Sequence, residues 1–475
     1  MVFSSLFFLY LFLPLNLVVY RFARGIKAKN ITMLVFSLVF YAWGEPVYVL
    51  LLVGMTVADY FCAIEIEKSA AHSRRAKLFL LLACAVNLGL LGVFKYGTFF
   101  LSNLKLLIGF PSAVPQFILP IGISFYTFQL ISYVADVYRR DVYAQKNFYL
   151  LLLYVSMFHQ CIAGPIVRYK DIYPELLERK ATYSDISDGV WRFSFGLAKK
   201  AILANACGSV ANRLLDTKHL SGAPALALWV GVFAFSLQIY FDFSAYSDMA
   251  ISMGRMIGIH YRENFNYPYI SRSVSEFWRR WHISLGSLFR DYVYIPLGGN
   301  RKGKLRTVFN LFIVWALTGL WHGAAWNFVL WGLYFFIFIC LEKLFLNRFS
   351  ARFKALPHIY LCVVVFFGWI LFKFTSLADI LTVIKGMLGL NGNGIINFEC
   401  GAVIKSNIFI LLFCAVVSTP IVKRIGELVG FTLMDKIPTK IVYAVGRIIL
   451  PPVLLLLSTA ALIGESYNPF LYFQF

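Results

Sequence analysis

The sequence predicts an all-α integral membrane protein, and three observations carry that reading. Of 475 residues, 60% are hydrophobic and only 14% are charged, against about 25% charged in soluble domains. The apolar residues fall in blocks of about one span length, separated by short basic connections. Aromatic residues are abundant, with Phe 47, Tyr 27 and Trp 10, as expected where rings line both membrane interfaces. The net charge of +21 does not indicate nucleic acid as a partner. The bases are spread over loops between apolar runs, as in cytoplasmic loops of membrane proteins, and form no soluble basic domain.

Taken in order, residues 2–20 form a first span followed by Arg21, Arg24, Lys27 and Lys29. With no basic residues ahead of it and no cleavage site, it reads as a retained span, and its basic flank places the N-terminus outside. Stretches 31–43 and 47–64 are parted by Glu45-Pro46, because proline disfavours helix in the residue before it. Lys68, Arg74, Arg75 and Lys77 form the next cytoplasmic loop, and 78–94, 117–135, 148–166, 190–211 and 224–252 follow. Residues 252–306 carry ten bases against three acids, which marks them as cytoplasmic. Within them Phe277, Trp278, Trp281, Ile283, Leu285, Leu288 and Phe289 recur at near-helical spacing, the pattern of amphipathic interfacial helices. From Thr307 to Leu341 no side chain is charged. At about 1.5 Å per residue this run exceeds a bilayer core of about 30 Å, so it is one long tilted helix or two segments broken near Gly319 and Gly323. Stretches 358–374, 407–421 and 441–463 complete a single domain, 1–475, of about eleven to thirteen helices. The eight cysteines form no CxxC pair and lie mostly in apolar segments, which indicates neither a disulfide framework nor a metal site.

The chemistry centres on His322, a titratable group deep in the uncharged run. Such groups are expensive in lipid and are usually kept for function. A neutral imidazole takes the proton of an attacking hydroxyl and returns it to a leaving thiolate. Trp321 and Trp326 are expected to shape its cavity, and Asn327 to orient the ring. Asp242 and Asp248 lie six residues apart in an apolar stretch, and must be paired, solvated or protonated. They either orient neighbouring side chains or form a polar wall of an aqueous cavity. The stretch 275–292, with Arg279, Arg280, Trp281 and Arg290, reads as a lipid-surface helix or as the docking site of a phosphorylated cytoplasmic donor, since arginine forks match phosphate oxygens. The turn Pro296-Leu297-Gly298-Gly299-Asn300-Arg301-Lys302-Gly303-Lys304 lacks the spacing of a P-loop. His159 precedes Gln160-Cys161-Ile162-Ala163-Gly164-Pro165 and lines a cavity or caps a broken helix.

Several words occur in a fixed order along nearly the whole chain. They are Leu119-Pro120-Ile121-Gly122-Ile123-Ser124-Phe125-Tyr126, Ala163-Gly164-Pro165-Ile166-Val167-Arg168, Phe241-Asp242-Phe243-Ser244-Ala245-Tyr246-Ser247-Asp248, Phe277-Trp278-Arg279-Arg280-Trp281-His282-Ile283-Ser284-Leu285, Tyr294-Ile295-Pro296-Leu297-Gly298-Gly299, Gly319-Leu320-Trp321-His322-Gly323 and Asn468-Pro469-Phe470-Leu471-Tyr472-Phe473. Together they resemble the membrane-bound O-acyltransferase family, in its bacterial alginate O-acetylase branch. The only departure is Ser247, where threonine is common.

The resemblance implies about eleven tilted transmembrane helices, with re-entrant and interfacial helices, around a central funnel in the plasma or inner membrane. It maps the family's catalytic histidine onto His322 and a second functional polar position onto His282. It implies transfer of acetyl from cytoplasmic acetyl-CoA, with no bound cofactor, toward an extracytoplasmic hydroxyl. An esterase-like acetyltransferase partner then completes transfer to a polysaccharide. Membrane lipids are the remaining partners. Peptidoglycan O-acetylation and teichoic-acid D-alanylation are the enzymatic alternatives. A transporter or flippase with Asp242, Asp248 and His322 as an ion relay is the non-enzymatic one, for which no inverted repeat is visible.

Overall fold

In lipid every backbone polar group needs a partner within the protein, so apolar blocks of span length fold as helices. The structure, a computed structural model, describes residues 1–109, 113–162, 164–344, 355–432, 437–464 and 470–471, and among these no strand occurs. The helices in order are α1 (Phe8–Phe22), α2 (Gly25–Gly44), α3 (Tyr48–Lys68), α4 (Arg74–Ile108), α5 (Ile123–Arg139), α6 (Phe148–Ser156) and α7 (Tyr169–Leu177). They continue with α8 (183–214), α9 (Ala225–Met256), α10 (Val274–Arg280), α11 (Ile283–Phe289), α12 (Lys304–His322) and α13 (Trp326–Leu344). The last are α14 (Leu356–Lys373), α15 (Leu377–Met387), α16 (Phe398–Val417), α17 (Ile421–Thr432) and α18 (Ile437–Ile463). Ala163, Asn468, Pro469, Tyr472 and Phe473 of the quoted words lie outside the described residues.

Among the described residues, eight helices are long and apolar enough to cross a membrane, fewer than the eleven or more expected. The 148–166 stretch accounts for part of the difference. It gives only the nine-residue α6, and the chain then runs non-helically through buried surroundings. Its backbone is satisfied piecemeal. Phe158 N donates to Ser37 Oγ (3.1 Å), Ile166 N donates to Ser284 Oγ (3.0 Å), and Gln160 Nε2 donates to the Tyr154 carbonyl (2.7 Å). Irregular backbone is tolerated at membrane depth when protein surrounds it in this way.

The core runs along α9, which is 72% buried over its span window, against 17% for the peripheral α4. α9 packs lengthwise on α8, where Gly196 sits so close that an added Cβ would lie 3.1 Å from the Ala245 carbonyl. The start of α8 is fixed by a capping box between Thr182 and Asp185. Hydrogen bonds from Thr182 to the Asp185 carboxyl hold it down at about 2.

The uncharged 307–341 run resolves into two helices, α12 and α13, parted at Gly323. They meet through Gly319 and Gly332. A Cβ on Gly319 would lie 2.5 Å from the Phe328 carbonyl, and one on Gly332 2.5 Å from the Trp315 carbonyl. Small residues allow such close backbone approach between membrane helices. The basic 252–306 connection also breaks. α10 and α11 are separated at Trp281-His282, and both residues turn inward and are buried. We expect Gly332→Ala to push α12 from α13 at a cost of about 1–3 kcal/mol, read as a lowered Tm of the purified protein in detergent.

Candidate active site

His322 is the last residue of α12, and its side chain is 6% exposed. It borders a narrow cavity whose other walls include Asp242, Phe243, Trp281, Trp331 and Trp369. Edge-to-face contacts fix the imidazole, with ring centroids 4.8 Å from Trp331 and 5.3 Å from Phe372.

His282 stands at the junction of α10 and α11 with φ +45°, a left-handed conformation uncommon outside glycine. Its surroundings settle its tautomer. The Ser284 backbone N–H donates to Asn264 Oδ1 (3.1 Å), so that atom is an oxygen, and Asn264 Nδ2 donates to Ser247 Oγ (3.1 Å). His282 Nδ1, 3.2 Å from the same oxygen, therefore carries the proton of the neutral ring. Nε2 is left as a lone-pair acceptor, and it is buried with no protein partner among the described residues. The two histidines share a neighbour. The Trp321 ring lies 4.9 Å from His322 and 5.6 Å from His282. Phe243, on the cavity wall, lies 4.7 Å from His282.

Asp242 faces the cavity as one half of a buried ion pair, with Oδ1 2.6 Å from Lys200 Nζ. Its Oδ2 accepts the Leu471 backbone N–H (2.6 Å), which places Leu471 in the cavity wall. Asp248 departs from the expected wall. It binds Arg192 (2.7 Å) and Lys199 (2.6 Å), and Arg192 continues to Glu263 (2.6 Å). Asn327 also departs from its expected role as the orienter of His322, since it donates to the Leu371 carbonyl (3.2 Å). Trp326 is 56% exposed and donates to Asn103 Oδ1 (3.0 Å), away from the cavity.

The basic stretch divides by position. Trp281 leaves the expected donor-binding set and becomes a cavity wall, stacked at 5.6 Å on Phe277 and 4.9 Å from Trp369. Arg280 pairs with Glu276 (2.9 Å) and Arg290 with Asp291 (2.7 Å), while Arg279 is exposed and forms no ion pair among the described residues. The start of α10 is tied to α13, because Glu342 accepts the Val274 (2.5 Å) and Ser275 (2.9 Å) backbone N–H groups. His159 is buried in the irregular turn after α6, with Nδ1 3.4 Å from the Tyr261 hydroxyl. Lys200, Asn264 and Ser284 were not singled out by sequence. Lys200 carried a usable signal, a charge inside an apolar stretch. Asn264 is an ordinary polar residue in a loop and Ser284 a small polar residue at the start of α11, and neither carried one.

Residues 145–384 match the model of the membrane-bound O-acyltransferase family, about half of the chain, with both histidines and both aspartates inside the match. The chain belongs to the membrane-bound O-acyltransferase family. It is similar to a probable alginate O-acetylase of Pseudomonas putida, 40% identical over 79% of this chain and 78% of that protein. It is also similar to a peptidoglycan O-acetyltransferase of Helicobacter pylori, 34% identical over 82% of this chain and 80% of that protein. A teichoic acid D-alanyltransferase of Bacillus subtilis is 27% identical over 54% of this chain. The chain is thus an acyltransferase and a multi-pass membrane protein.

Removing the acceptor shared by His282 and Ser284 tests how the second histidine of this family member is held. Asn264→Leu leaves the Ser284 N–H and His282 Nδ1 without their partner at a cost of about 1–3 kcal/mol. Acyl transfer is expected to fall more steeply than Tm, which parallel activity and melting measurements read.

Proposed function

We propose that this chain is a membrane O-acetyltransferase that takes acetyl from cytoplasmic acetyl-CoA and passes it outward for O-acetylation of a cell-surface or exported polysaccharide. The observation that carries the reading is the placement of His322. A buried imidazole at a helix end borders a narrow cavity whose remaining walls are mostly apolar. In that setting His322 takes the proton of the acceptor hydroxyl as its oxygen attacks the thioester carbonyl. The carbon–sulfur bond breaks, and the proton goes to the departing thiolate. His282 offers Nε2 as a lone-pair acceptor near the same wall. Arg279, Arg280 and Arg290 would hold the donor's phosphates at the cytoplasmic surface, with Arg279 and Arg280 within two residues of the cavity wall at Trp281. An extracytoplasmic esterase-like acetyltransferase would complete transfer to the glycan.

The similarity to alginate O-acetylases supports a polysaccharide acceptor. The similarity to a peptidoglycan O-acetyltransferase over 82% of this chain favours peptidoglycan as the second reading. The match to an acyltransferase family over about half of the chain supports the enzymatic reading over the ion-relay alternative.

With radiolabelled acetyl-CoA and the purified protein plus its partner, His322→Ala is expected to lower transfer by about 10²–10⁴-fold. Transfer at the native rate removes His322 as the base. Arg279→Gln combined with Arg280→Gln is expected to raise the KM for acetyl-CoA several-fold while kcat is largely kept, as for loss of uniform binding. A steady-state titration of the donor separates the two parameters.

A further inference from the structure

α4 is interrupted by one π-helical turn, Gly92–Tyr96. Such bulges wind fewer degrees per residue and bring successive side chains toward one side. Here the two side chains at its end are Lys95 and Tyr96. Both reach the last turn of α12, more than two hundred residues away in sequence. Tyr96 OH donates to the Leu320 carbonyl (2.6 Å), and Lys95 Nζ donates to the Trp321 carbonyl and to Ser124 Oγ (3.2 Å). The Lys95 ammonium also lies 5.8 Å from the centre of the Trp321 ring. Further along α4, Asn103 Oδ1 accepts the indole N–H of Trp326, the first residue of α13 (3.0 Å), and Phe99 packs on the same ring at 5.6 Å.

The last four carbonyls of any α-helix lack a partner within it, and inside a membrane water does not supply one. The Leu320 and Trp321 carbonyls are two of these four in α12, directly before His322. We infer that Lys95 and Tyr96 are positioning residues that end α12 at His322 and hold its imidazole at the cavity, by taking the carbonyls that would otherwise carry the helix onward through Gly323. The effect on catalysis rests on the acyl-transfer reading above. The effect on local structure does not.

The test uses full-length protein in lipid nanodiscs with Lys95→Met, Lys95→Arg and Tyr96→Phe. Two readouts are taken, acetyl transfer from acetyl-CoA in the presence of the partner and amide hydrogen exchange in peptides covering 319–326. Lys95→Met is expected to lower kcat on the order of tenfold or more, as small misplacements of a catalytic group do, with donor KM changed by less than about twofold. Exchange is expected to quicken in 319–326 and stay native in 304–318. Lys95→Arg, which can still donate to the carbonyl, is expected to recover most of the rate. Native transfer with native exchange in Lys95→Met overturns the inference, and so does exchange that quickens evenly along the chain. If Lys95→Met does not fold, Tyr96→Phe, which loses a single hydroxyl, decides by the same readouts in the same direction. If wild-type protein transfers no acetyl while the variants still quicken exchange only in 319–326, the positioning role stands and the acyl-transfer reading falls.

Discussion

A helix that ends among buried side chains must find donors for the carbonyls it leaves open, and that constraint organises this molecule. An amide group moved into an apolar medium without a partner costs several kcal/mol. α12 stops at His322 within a run that carries no charge from Thr307 to Leu341, so the donors come from elsewhere in the fold. Gly323 permits the stop through space more than through dihedral freedom. Its φ of −171° is extended backbone that any residue adopts, but a Cβ there would lie 2.2 Å from the Phe328 ring. The chain therefore turns back tightly into α13, and the glycine contact between α12 and α13 keeps the pair together up to the break.

His282 is presented by a second interruption. It lies between two seven-residue helices in a left-handed conformation that costs a non-glycine residue about 1–3 kcal/mol. The Asn264–Ser284 network offsets part of that cost and fixes the ring's tautomer at the same time. An imidazole on an unbroken helix face would pack against the next helix. At a helix end, it lies beside the gap that the interruption opens. Both histidines follow this arrangement, and Trp321 fills the space between them.

Much of this was legible in sequence because the signals were ones of length and cost. The break in 307–341 follows from a run too long for one span that carries Gly319 and Gly323 near its middle, and His322 stands out because burying it is expensive. The shared cavity wall expected of Asp242 and Asp248 was legible as well, but in the negative. Six residues at about 100° each place them roughly 120° apart around a helix, so one cavity wall does not hold both. Which of the two faces the cavity was not legible. α9 is apolar nearly all round, so it has no hydrophobic face from which to infer orientation. Partners such as Lys200 for Asp242, 42 residues apart, or Asn264 for His282, 18 apart, are set by packing between elements. Lys95 falls one residue past the 78–94 stretch, where a basic residue reads as the end of a span, so the sequence did not mark it. The reading of 148–166 as a span has a different origin. The 148–166 stretch is hydrophobic enough to cross, but its buried polar residues and Gly164-Pro165 turn it into surrounded, irregular chain.

The Lys200–Asp242 pair raises the question of what a buried charge pair does beside an apolar cavity. Desolvating both groups consumes most of their mutual attraction, so a well-packed apolar pair of similar volume is often as stable. The consequence of the pair lies in geometry. With one carboxylate oxygen on Lys200, the other is free to take the Leu471 backbone N–H, and the Lys200 ammonium lies 5.0 Å from the centre of the Phe470 ring. A neutral side chain at position 242 has no second strong acceptor to offer that N–H. The segment at 470–471, which arrives from the far end of the chain, is thereby fixed against α9 and closes one side of the space that His322 borders. Most of that space is walled by Ile239, Phe243, Trp281, Trp331, Trp369 and Phe372, where water screens charge poorly and each polar group acts at nearly full strength. In such surroundings an unpaired carboxylate would compete with the imidazole for any proton or donor entering the cavity. Pairing Asp242 with Lys200 removes that competitor from the wall that His322 borders.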